Sequence, residues 1–217
     1  MTWQSDAMTR EGAAPTLDPA TLRVLLRERV GANKLEESLA IVEPFEVEAE
    51  SGMRVSMAPA WYGLVGDLQL RLVRDTGDYV LTLHASQLDD LRLTADEAIT
   101  VALANLRRQH GEPLAAPWHN LQRVCGRDEG GSSAYFLDRP FWRARLAEHP
   151  DGVVAAVPRT DALLFAPLAD AAAIDSMRQG IPGLHAGGGA DYRLSSALYL
   201  FKDGRWNVFQ AAAAAAP

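Results

Sequence analysis

One cysteine, Cys125, stands in a chain of 217 residues, so no disulfide can form within it, which suits a reducing compartment. Aromatic residues make up only 7% of the chain. No apolar run approaches the roughly 18 residues that a membrane-spanning helix needs, so such a helix is excluded on length and no membrane association is expected. Positive charge is short as well: 21 Lys and Arg against 28 Asp and Glu leave a formal net charge of -7. The basic residues are scattered. Phosphate-backbone binding is driven by clustered Lys and Arg that release counterions, so nucleic acid is not an expected partner. The start, MTWQSDAMTREGAAPT, lacks a basic segment followed by an apolar core. No secretory signal is visible in it, and a cytoplasmic location is expected.

Motifs that carry chemistry are missing too. Five histidines and Cys125 invite a metal reading, with His110, His119 and Cys125 the nearest group. Zinc sites need compact ligand pairs, and neither C-x2-C, H-E-x-x-H nor H-x3-H occurs. No metal and no cofactor is expected. Nucleophilic attack by Ser195, Ser196 or Cys125 would need a base beside it, and there is no G-x-S-x-G elbow. Cys125 ends an apolar strand and reads as a buried, inert thiol. The loop GRDEGGSS, Gly126 to Ser133, could wrap an anion with backbone N–H groups, but it lacks the P-loop lysine, and Asp128 and Glu129 would repel phosphate. It reads better as a hairpin tip.

What is present is nearly half apolar and long enough to bury a substantial core. Residues 1–15, small and polar, read as a flexible leader; residues 16–210 form a single domain, and 211–217 an Ala-rich tail. A helix is expected from Asp18-Pro19, with Leu22, Leu25, Leu26 and Val30 at helical spacing. Residues 39 to 66 are ambiguous, and Pro44 and Pro59 demote their apolar pieces to short or edge strands. Leu68, Leu70 and Leu72 alternate, a turn follows at Asp75 to Asp78, and Tyr79, Leu81 and Leu83 alternate again, which predicts a half-buried hairpin. Thr94-Ala95-Asp96-Glu97 is a capping box opening a helix with Ile99, Ala102, Leu103 and Leu106 as its stripe.

The order then recurs. Leu121 to Cys125 and Ser133 to Leu137 read as strands, followed by a helix over Pro140 to His149. Val153 to Val157 and Ala162 to Phe165 read as strands around a turn, followed by a helix capped by Asp170. Finally, Ala197 to Phe201 and Trp206 to Phe209 flank the turn pair Asp203-Gly204. Hairpin plus helix three times, then a last hairpin, predicts an α+β fold with a mainly antiparallel sheet and helices packed mostly on one face.

Four ordered blocks carry a family resemblance: Leu64 to Leu68, Ala104 to Arg107, Val157 to Phe165, and Leu194 to Tyr199 leading into Asp203 to Trp206. Together they resemble the uncharacterised bacterial YtpQ-like family over roughly residues 64–209. The resemblance implies a fold and a bacterial setting, and brings no established reaction.

Candidate binding residues follow from chemistry and position. Arg159 and Asp161 sit in a turn between apolar strands and could present a charged pair to an acidic or amide ligand, or Asp161 could cap its own turn. Asp67, after Gly66, carries the same ambiguity. Trp61 and Tyr62, among Pro and Gly, could form an aromatic contact patch or pack over the sheet edge. The reading preferred on sequence is a non-catalytic module that binds a protein partner, with an acidic surface suited to a basic one, as in immunity or chaperone roles. The alternative is an enzyme, for instance a hydrolase using Asp67, Arg159 and Asp161. The edge strand Trp206 to Phe209 could pair with a second copy into a homodimer, or the Ala-rich tail could cover it.

Overall fold

The computed structural model describes residues 17–48, 52–128 and 132–212. The leader at residues 1–15, the tail beyond residue 212 and the tip of the GRDEGGSS loop lie outside the described residues. The first elements are the strands β1 (Leu22–Glu28), β2 (Ala40–Ile41), β3 (Phe45–Glu48), β4 (Arg54–Met57), β5 (Trp61–Val65), β6 (Leu68–Asp75) and β7 (Val80–Thr82). The helices α1 (Ala85–Asp90) and α2 (Ala95–His110) follow, then β8 (Leu114–Trp118) and β9 (Leu121–Cys125). The chain continues through α3 (Arg139–Glu148), β10 (Val153–Arg159), β11 (Ala162–Pro167), α4 (Ala171–Ala186), β12 (Leu198–Lys202) and β13 (Arg205–Gln210).

The fold is α+β, and every ladder is antiparallel. A first sheet runs β1-β6-β5-β2, with β7 continuing along β6 beyond β5. A second has the order β13-β12-β10-β11-β9-β8, and β3 pairs with β4 as a separate hairpin. No helix among the described residues is long and apolar enough to cross a membrane.

Hairpins and helices alternate from β6 onward, but the second hairpin is β8–β9 rather than the expected pairing of 121–125 with 133–137, and the elements are divided between the two sheets. What joins them is one apolar cluster: Leu22, Leu26, Leu64 and Leu70 of the first sheet meet Val153, Phe165, Tyr199 and Phe201 of the second, with Trp142 of α3 among them. Phe136 and Trp206 stack within it, their centroids 4.2 Å apart, and Trp142 meets Trp206 edge-on at 4.9 Å. Their polar edges are satisfied, since Trp142 Nε1 donates to Tyr135 O and Trp206 Nε1 to Phe136 O. The opposite face of the second sheet, with Val154, Ala156 and Leu164, is covered by Ala173, Ile174, Met177 and Ile181 of α4.

Several expectations are corrected. The helix from Asp18 is a single 3-10 turn, Pro19–Thr21, that passes into β1. Leu22, Val24 and Leu26 are buried while Leu25 is not, so strand alternation wins where Leu22, Leu26 and Val30 also fitted a helix. Ser132–Leu137 is a wholly buried 3-10 segment rather than a strand. By contrast, the apolar pieces at Leu39 to Val42 and Phe45 to Glu48 do form short edge strands, β2 and β3. Only the near end of the 68–83 hairpin is half-buried, for Tyr79 and Leu81 are exposed. Cys125 is partly exposed. The outer side of β13 is met by the chain's own residues 35–37, with Glu37 N–H donating to Trp206 O (3.1 Å) and Val208 N–H to Leu35 O (2.9 Å).

Candidate functional site

Asp67 is buried, and its carboxylate accepts from Ser195 Oγ (2.5 Å) and Tyr199 Oη (2.6 Å). The two hydroxyls are 2.8 Å apart, and Ser195 Oγ also accepts from Ala197 N–H. Burial, reinforced by the Asp67 charge, pushes the Tyr199 hydroxyl well above its ordinary range. The tyrosine therefore stays protonated and donates. Gly66 permits this meeting: it has φ of +59°, and a Cβ there would stand 2.8 Å from Tyr199 Cε1. The network binds the β5–β6 turn to the start of β12, joining the two sheets. Ser195 and Tyr199 have no exposed surface, so no substrate reaches these hydroxyls.

Arg159 and Asp161 do not enter that network. They pair with each other, Nε to Oδ1 and Nη2 to Oδ2, both at 3.0 Å, on a turn where both side chains are partly exposed. Their hydrogen bonds explain the turn without a ligand. Trp61 and Tyr62, adjacent on β5, point to opposite faces. Tyr62 is buried in the shared core, and burial, with Asp89 and Asp96 adding, raises its hydroxyl. Trp61 lies on the other face under the Arg71 guanidinium, 3.9 Å from the ring centroid, with Phe45 beside it at 5.7 Å. The two aromatics thus make no single patch. Among the described residues no group of three or more His, Cys, Asp or Glu is placed to hold a metal.

The concavity that stands out is one that sequence reasoning missed. A cleft of about 650 Å³ runs between α2 and the segment Glu37-Ser38-Leu39. Leu64, Leu70 and Leu137 form its floor, and Ile99 and Leu103 of α2 its wall. α2 is fixed there by its capping box: Thr94 Oγ1 accepts from Glu97 N–H, and the Glu97 carboxylate accepts from Thr94 N–H. These bonds hold the Glu97 carboxyl below its ordinary range. On its buried side, Asn105 Nδ2 donates to Pro19 O and Leu22 O, which ties the helix to the start of β1.

The far end of the cleft is built from ion pairs. Arg107 grips Asp138 through Nε and Nη2, at 2.9 and 2.6 Å, and lies 3.3 Å from Glu112. Asp138 is fully buried and caps α3 by accepting from Phe141 N–H. Hydrogen bonding to Asp138 raises Arg107 above its ordinary range. Arg139 pairs with Glu37, whose other oxygen accepts from Trp206 N–H. Burial, with Arg143 adding, brings Arg139 down to about 10, so it remains charged at neutral pH. Two arginines line the cleft, while Glu37 and Asp96 line it and Asp138 and Glu112 pair with Arg107. Four carboxylates against two guanidiniums leave this set of groups net negative. Asp96, exposed at the near end, is in none of the ion pairs among the described residues.

A signal for the cleft was present in the spacing. Asp96, Ile99, Thr100, Leu103, Ala104 and Arg107 recur every three or four residues and form a second face of α2 beside its buried stripe. Nothing in the sequence said that Leu39 and Pro140 would stand across from it.

Together the two sheets and this cleft define an α+β protein with a groove along one helix. Comparison of the chain with protein-family models, curated proteins and solved structures returns no match.

Proposed function

We propose that this chain is a non-catalytic protein-interaction module whose α2 cleft receives an apolar segment of a protein partner, with a basic side chain of that segment beside Asp96. The observation that carries this reading is the cleft itself, with its leucine floor and, at one end, the exposed Asp96 outside every ion pair among the described residues. From Asp96 to Arg107 the helix advances about 16 Å, which matches about five residues of extended chain or three helical turns. A partner segment of that length fills the cleft with apolar side chains, and its cation neutralises Asp96. The acidity of the whole chain steers the same basic partner. Membership of the YtpQ-like family and a bacterial cytoplasmic setting belong to this proposal and add no reaction to it.

The test places a photo-crosslinking amino acid at Ala104, an exposed position on the cleft wall, in the full chain expressed in its native host. The expected result is a crosslink to a protein segment rich in apolar residues with a Lys or Arg among them. It falls about tenfold or more in Asp96→Lys, in proportion to the loss of one favourable charge contact and the gain of a repulsive one. Far-UV circular dichroism of that variant remains that of the parent. A crosslink to a second copy of this chain, a crosslink insensitive to Asp96→Lys, or none to any protein overturns the reading.

A further inference from the structure

The first sheet has an outer face, turned away from the shared core, that is strongly cationic in an otherwise acidic protein. Side chains alternate across a strand, so Arg23, Leu25 and Arg27 of β1 share this face, and Gln69, Arg71, Val73 and Asp75 of β6 share it with them. The register aligns them in rows. Arg27 and Gly63 flank Gln69, and Leu25 and Trp61 flank Arg71. Arg29, which follows β1, reaches across so that its Nη1 lies 3.5 Å from the place a Cβ on Gly63 would take. A methyl group at Gly63 would lie in van der Waals contact with that guanidinium. Arg71 donates from Nε to Gln69 Oε1 at 2.8 Å, and Gln69 is only 5% exposed. Lys34 arrives from the side, its Nζ donating to Gly63 O at 3.1 Å.

These cations are short of counter-charge. Asp75 lies 3.6 Å from Arg23. Among the described residues no carboxylate forms an ion pair with Arg27, Arg29 or Arg71. The Asp67 carboxylate is already taken by Ser195 and Tyr199. Burial, and then the charge of Arg27, lower Arg71 from its ordinary range. A donor is also unsatisfied: Trp61 Nε1 is buried without a hydrogen-bond partner.

We propose that the outer face of the first sheet is a binding site for a phosphomonoester dianion, seated over Gln69 among Arg27, Arg29 and Arg71. A carboxylate is satisfied by one guanidinium fork. A tetrahedral phosphate offers acceptor oxygens in several directions, and its double charge answers three convergent cations. A nucleic-acid backbone is the poorer fit, because the rest of the chain is acidic and would repel a long polyanion. This site is independent of the α2 cleft, whose floor uses the inward-facing Leu64 and Leu70.

Calorimetric titration of the full chain with inorganic phosphate at low ionic strength tests it. Saturable binding is expected, with acetate at least about tenfold weaker, since it uses a single fork. Arg29→Gln and Arg71→Gln should each weaken phosphate about tenfold or more, the usual consequence of losing one charge-assisted hydrogen bond. Arg178→Gln, on α4, should leave it unchanged. Because Arg71 packs on Trp61, its variant could lose local order, so the exposed Arg29 serves as the second, independent variant. Phosphate should also raise the melting temperature of the parent and not that of the Arg27→Gln, Arg29→Gln double variant. No saturable phosphate binding, or equal affinity in the parent and Arg29→Gln, overturns the proposal.

Discussion

At the scale of single residues, the chain spends its polar groups on internal ties. Asp67 is the clearest case, since one carboxylate satisfies two hydroxyls from the other sheet. Asp67→Ala would leave Ser195 and Tyr199 buried without their acceptor and should cost about 3 kcal/mol. Asp67→Asn, which retains an acceptor oxygen, should cost less. Urea unfolding of the two variants gives that ranking directly, and equal costs would mean the network contributes only shape. The sequence offers Asp67 as a turn or binding residue and Ser195 as a serine without a neighbouring base. Their meeting was not legible there, because 128 positions separate them and a hydrogen bond across that span depends on how two sheets are placed. Arg159 and Asp161, two positions apart, were easier: a neighbouring Arg and Asp around a turn tend to find each other.

At the scale of elements, local signals succeeded where a cap or a turn pair fixed the geometry. The Thr94–Glu97 box opens α2 as its spacing predicts. Asp203 and Gly204 both take positive φ, 53° and 78°, as a tight two-residue hairpin turn requires. The failures came where periodicity was ambiguous. Leu22 and Leu26 satisfy both a four-residue helical step and the two-residue alternation of a strand, and pairing with β6 decided the matter. Ser132–Leu137 is apolar enough for a strand, but it is buried on every side and packs its backbone as a 3-10 turn. Thr94→Ala should cost about 1 kcal/mol at neutral pH by removing the cap. Glu97 has a folded-state pKa below its unfolded value of about 4.3, so its share of the cap is complete above that pH and is lost as pH falls through the lower folded value. The difference between Thr94→Ala and the parent should therefore shrink between pH 6 and pH 3. Urea titrations at both pH values measure it, and a constant difference would exclude the carboxylate from the cap.

At the scale of the whole molecule, the two sheets share one apolar cluster, so neither can lose its packing alone. The described part should unfold in one step. Tryptophan fluorescence, which reads Trp142 and Trp206 at the centre, and far-UV circular dichroism, which reads both sheets, should give coincident urea transitions. Separate midpoints would show that the first sheet opens on its own. The same arrangement sorts the surfaces. Inward residues of the first sheet floor the α2 cleft, while Arg23, Arg27 and Arg71 lie on its other face.

The sequence by itself determined the α+β class, the hairpins with their turn pairs and the capped helices, because caps, turns and alternation act between residues a few positions apart. It also held the net negative charge that favours a basic partner. Tertiary structure alone decided which residues face one another: Asp67 with Ser195 and Tyr199, Arg107 with Asp138, and Arg27 of β1 with Gln69 of β6. Charge counted along the chain looked scattered, and strand pairing gathered part of it onto one face, because register places distant residues side by side.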